Sequence, residues 1–161
     1  MLNQSQIKQV WENMLAAEAR SFYFGDLASR YTVRKQWITG MSFFLSSGAA
    51  ATIITRSPVW VPIMFSVVAA AASAYSIATN LDGKISTMSK LHSAWGRITV
   101  EYERLWNHTY TADAEDQLDR IIQLEEEPSE LATTGAPNDE KLLGKWQDRV
   151  FALRGLTDRH A

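Results

Sequence analysis

Between Lys35 and Asp82 the chain carries one charged side chain, Arg56. Of the 34 charged residues, from 16 basic and 18 acidic, eight lie in residues 1–35 and 25 in residues 82–161. At the overall charge content an even spread would place about ten in that gap. The whole-chain averages therefore describe two materials, and the middle is the one that limits the choice of fold. Gln36 to Thr55 and Ser57 to Leu81 are charge-free runs of 20 and 25 residues. At about 1.5 Å per residue each has the length of a helix that crosses a hydrocarbon core of about 30 Å.

These runs predict an all-α membrane protein built on a transmembrane hairpin over 36–81, with spans at about 36–55 and 60–81 and a turn at 56–59. Buried in the middle of one long helix, Arg56 would cost about 2.5 to 3.5 kcal/mol, so a turn beside Pro58 and Pro62 is preferred. Trp37 and Trp60 then fall at the two interfaces as anchors. Arg30, Arg34 and Lys35 before the hairpin and Lys84 and Lys90 after it, against Arg56 alone in the turn, predict both termini on the cytoplasmic side. The first 30 residues include Glu12, Glu18 and Asp26 and no apolar block of signal-peptide length, so no cleavable leader is expected.

Small and hydroxylated residues inside the runs mark helix-packing or pore-lining candidates: Gly40, Ser42, Ser46 and Gly48 in the first, Ser66, Ser73 and Asn80 in the second. The last three fall seven apart, on one helix face. Two readings stand. The hydroxyls bond their own helix or join the two helices of one hairpin; or the stripe faces the shared axis of an oligomer, since two helices cannot enclose a pore alone.

Flanking segments read as helices. Residues 1–35 hold an amphipathic helix from Ser5 through Ile7, Val10, Trp11, Met14 and Leu15 to about Phe24, with Gly25 as a bend. In the extension at 82–127, Met88, Leu91, Trp95, Ile98, Tyr102 and Leu105 form a coiled-coil-like seam. That seam implies one long helix continuing from the second span to about Trp106. Its partner is the N-terminal helix, the later helices or another subunit. A further helix is expected over Ala112 to Glu127, a linker over 128–137, and a last helix in 138–161, capped by Asn138 and ended by Gly155.

Catalytic chemistry finds little material. The chain has no cysteine, which excludes disulfides, thiolate metal sites and thiol nucleophiles. A net charge of -2 gives no footprint for nucleic acid, and no phosphate loop or HExxH motif is present. His92, His108 and His160 lack ligand spacing, and Asp113, Glu115, Asp116 and Asp119 read as a helix surface. No enzyme activity, cofactor or metal is expected. Arg97, Arg104, Trp95 and Trp106 are the nearest materials for a small-messenger pocket, and they read more simply as seam and solvated face.

In its order of parts, in the basic pair Arg34 and Lys35 entering the first run, and in its small-residue-rich spans, the chain resembles the SLATT proteins, two-transmembrane effectors of bacterial conflict systems. The resemblance covers about residues 5–127. It implies an antiviral effector of the bacterial inner membrane that forms a homo-oligomer, permeabilises the bilayer when triggered, and answers to a sensor protein encoded nearby. Two alternatives stand beside it: a membrane-anchored scaffold or sensor subunit that recruits a partner through the seam, and a holin-like lysis protein.

Overall fold

The structure is a computed structural model that describes residues 1–46, 58 and 60–156. Its regular elements, among the described residues, are five helices: α1 (Gln4–Ser46), α2 (Trp60–Ala78), α3 (Leu81–Asn107), α4 (Ala114–Gly135) and α5 (Glu140–Leu153). They form two compact units, one of residues 1–27 and 86–161 and one of residues 28–85.

Unit 1 is built on the seam. Met88, Leu91, Trp95, Ile98, Tyr102 and Leu105 of α3 are all buried, as are Val10, Met14, Ala17, Ser21 and Phe24 of α1, which follow the same three-and-four spacing. Two stripes of this period pack along each other because each presents its side chains to the other once per turn. The crossing is close where side chains are small. The Ser21 hydroxyl donates to the His92 carbonyl (3.2 Å), and the imidazole Nδ1–H of His92 donates to the Ser21 carbonyl (2.8 Å). A Cβ on Gly25 would lie 3.1 Å from His92 Nδ1, so Gly25 serves this approach and the helix runs straight through it. Leu118, Ile121 and Pro128 of α4 and Leu142 and Val150 of α5 complete the core.

Helix ends follow local chemistry. Asn3, rather than Ser5, caps α1: its side chain accepts from the Gln6 N–H, and Gln6 Oε1 accepts from the Asn3 N–H, a reciprocal capping box. α4 continues through Pro128 to Gly135, so most of the expected linker is helix. Proline forfeits one backbone hydrogen bond there, and burial of its ring offsets part of that loss. Asp139, one residue after the expected cap, accepts from the Leu142 N–H and starts α5. Gly155 ends it at φ 69°, with Leu156 N–H bonding Phe151 O and Gly155 N–H bonding Ala152 O, the paired bonds of a left-handed glycine stop. α5 is tied to α1 by Trp146 Nε1–H to Asp26, by Trp146 stacked on Phe22, and by Arg154 reaching Glu18 at 2.9 Å.

Unit 2 corrects the fold class and the location. No helix among the described residues is long and apolar enough to cross a membrane. The transmembrane hairpin over 36–81, and with it a multi-pass inner-membrane location with both termini cytoplasmic, is therefore not supported. The reason is compositional. The expected first span is the end of α1, a helix that carries charges up to Lys35 and of which only residues 36–46 of the run are described. The second ends at Ala78 after 19 residues, much of them alanine and serine. Such side chains add little transfer free energy, so lack of charge alone does not make a span. Gly48 and the expected turn at 56–59, apart from Pro58, lie outside the described residues.

The second run also does not flow into the seam helix. Thr79 and Asn80 form a turn, and Asn80 takes φ 43°, a conformation asparagine tolerates better than most residues. Its side-chain oxygen then accepts the Gly83 N–H at the start of α3. Asn80 is thus a helix break, not the third member of a face with Ser66 and Ser73. Within the unit, Arg34 lies over the Tyr75 ring at 5.1 Å and Lys35 pairs with Asp82, so α2 returns alongside the end of α1.

Candidate functional site

What unit 2 presents outward is its most informative property. On α1, Val33, Trp37, Met41 and Phe44 recur at four, four and three residues, one surface stripe, and all are exposed; Phe43 beside them is 75% exposed. On α2, Trp60, Ile63, Met64, Val67 and Val68 make the matching stripe, and Ile77 is 81% exposed. Ala69 and Ala72 are less exposed, so these small residues of α2 sit on its more sheltered side and the large ones on its open side. Helices in a solvated monomer ordinarily show the reverse arrangement.

The small-residue candidates of the sequence occupy scattered positions in this unit. Gly40 lies on α1 with nothing within 4 Å of the Cβ it lacks, and with Gln36, Trp37 and Met41 it lines a shallow notch of about 410 Å³. Ser66 and Ser73 are exposed on α2, and Ser42 is half-buried on α1. Ser46 is the last residue of α1, with its side chain outside the described part, as is Gly48. The two tryptophans read as interface anchors, Trp37 and Trp60, are 70% and 65% exposed and belong to the stripes.

The seam residues lie elsewhere, in the unit 1 core, where they meet the chain's own helices. Tyr102 accepts a hydrogen bond from Asn13 Nδ2, and burial, followed by the nearby Glu125 carboxylate, holds its phenol well above its ordinary pKa. Trp95, 1% exposed, lies under the Arg20 guanidinium at 4.5 Å. None of the six offers a free face for recruiting a partner. Arg154 bridges Glu103 and Glu18, and the first of these does most to hold its guanidinium above the ordinary value. Asp113 lies below the usual carboxylate range, chiefly through the neighbouring Thr111 side chain and after it through the Gln117 amide, which donates to it. Among the described residues there is no group of three or more side chains arranged to hold a metal ion.

The signal of the large stripes is in the sequence, in the spacing of 33, 37, 41 and 44 and of 60, 64, 67 and 68. Comparison with family models, curated proteins and solved structures finds no match for this chain.

Proposed function

We propose that this protein is a helical assembly module, and that the stripes of unit 2 pack against those of a second copy. The observation that carries the reading is the set of large apolar side chains exposed on the end of α1 and on α2, with no charged residue in 36–46 or 60–78. Contiguous exposed apolar surface of this extent marks an interaction site. A stable interface takes roughly 800 Å² from each partner, and the stripes present large side chains along two helices for it. A second copy is the occupant argued for because it supplies a surface equally free of charge, so that no buried carboxylate or ammonium is left without a partner. The Gly40 notch beside Trp37 is an opening for a large side chain from that copy. The seam-recruitment alternative is less favoured, since the seam is buried within unit 1.

Sedimentation equilibrium of the full chain across a concentration series tests this. A dimer or larger assembly is expected, with Trp37→Glu and Val67→Glu each shifting it to monomer at unchanged helical circular dichroism. A wild-type chain that stays monomeric at every concentration would sink the proposal. So would a monomer that instead co-sediments with phosphatidylglycerol vesicles, which would make lipid the occupant.

A further inference from the structure

Unit 1 contains a cavity of about 430 Å³ bounded by α1, α3, α4 and the start of α5, within the size range of small-molecule sites. Its lining combines one cation, Arg20, with no carboxylate. Tyr23, Phe24, Trp95 and Leu143 supply an apolar wall. A larger groove, about 850 Å³ between α3 and α4, carries Lys90 and Arg97 together with Glu101 and Glu127, and so favours neither sign of charge.

Of the polar groups that line the smaller cavity, Arg20 and Asn138 are exposed and Ser129 is half-buried. Arg20 lies over the Trp95 ring and makes no ion pair among the described residues. Glu125, which like Arg20 acts on Tyr102, lies outside the lining. The Ser129 hydroxyl and the Asn138 side-chain amide also have no hydrogen-bond partner among the described residues. The frame around them is fixed: the Tyr23 hydroxyl donates to the Pro137 carbonyl and accepts from the Asp139 N–H, which holds the α4–α5 turn at the rim.

We infer that this cavity binds a small organic anion with a flat apolar body, of which aryl carboxylates are the simplest members. The guanidinium fork meets a carboxylate with two parallel hydrogen bonds. The ring then rests on the Phe24 and Leu143 side, and the Asn138 amide and Ser129 hydroxyl remain for a polar substituent. Binding at this cavity does not depend on self-association, because every residue involved belongs to unit 1.

Fluorine NMR of the full chain with 4-(trifluoromethyl)benzoate as probe tests it, with 4-(trifluoromethyl)benzamide as the uncharged control. The benzoate is expected to bind with a Kd at or below about 1 mM. Arg20→Gln should weaken it at least about tenfold, the loss of a charge-assisted hydrogen bond, with Arg20→Lys in between. Ala132→Phe, which fills the cavity and leaves Arg20 in place, should abolish it. No line broadening or shift at millimolar benzoate overturns the inference. Equal binding of the benzamide, or benzoate binding unchanged by both Arg20→Gln and Ala132→Phe, overturns it as well. Because Trp37→Glu leaves this cavity untouched, failure here and failure of self-association are separate results.

Discussion

The two units use the same kinds of side chain in opposite ways. In unit 1, tryptophan, methionine and leucine recur at three-and-four spacing and meet inside the chain; in unit 2, tryptophan, methionine and phenylalanine recur at the same spacing and face outward. Periodicity therefore says that a helix has an apolar face, and it does not say what covers that face. In unit 1 the cover is another segment of the same chain. In unit 2 the large side chains of the stripes stand exposed.

Truncating a tryptophan on each side of this contrast tests it most directly. Trp95→Ala is expected to cost about 3 to 5 kcal/mol, enough to unfold unit 1 or nearly so, because it empties a closed core. Trp37→Ala, at a site 70% exposed, should change the stability of the monomer by no more than about 0.5 kcal/mol. Urea denaturation at low protein concentration measures both, and comparable losses at the two sites would erase the distinction.

Two glycines of α1 draw the same line within one helix. Gly25→Leu forces a Cβ to within 3.1 Å of His92 and should destabilise by about 1 to 3 kcal/mol. Gly40→Ala meets open space and should stabilise the monomeric helix by about 0.5 to 1 kcal/mol, while partly closing the notch used for assembly. Thermal unfolding and sedimentation of the same pair of variants report the two effects separately.

A smaller effect is expected at the ion-pair cluster of unit 1. Arg154→Met removes the contacts to Glu18 and Glu103 and should cost about 1 kcal/mol, since the three groups remain partly solvated. High salt should reduce the difference between variant and wild type in the same unfolding measurement.

The smallest concerns pH. The folded pKa of Asp113 is lowered, so its contribution is complete above the unfolded value of about 3.9 and is lost as pH falls through the folded value. Asp113→Asn should therefore reduce the fall in stability between about pH 5 and pH 2, read by chemical denaturation at each pH.

Particular residues show how far the fold is legible before the helices are assembled. The seam from Met88 to Leu105 is legible because six apolar positions at three-and-four spacing fit one face of an α-helix and do not fit the two-residue period of a strand. The glycine stop at Gly155 is legible because the stop requires a positive φ. Gly25 reads as a bend and Pro128 as the start of a linker, because both residues break helices in isolation; both lie inside helices here, Gly25 at the close approach to His92 and Pro128 buried. The expected membrane spans fail for a related reason. Absence of charge is visible in the sequence, but a helix rich in alanine and serine is not thereby a span, and the break at Thr79 and Asn80 that parts α2 from α3 has no strong local signal. The cavity beside Arg20 is not legible at all: its lining comes from α1, α3, α4 and the start of α5, far apart along the chain.

Local spacing and composition are properties of neighbours along the chain, and they suffice to establish that it is helical, that no cysteine chemistry is open to it, and that one stretch is nearly free of charge. Which apolar stripes are buried, which stand open, and which distant side chains share a cavity are settled only in three dimensions. Those outcomes depend on how segments more than 60 residues apart meet, as Ser21 meets His92, and that pairing is set by the packing of whole helices rather than by any local signal.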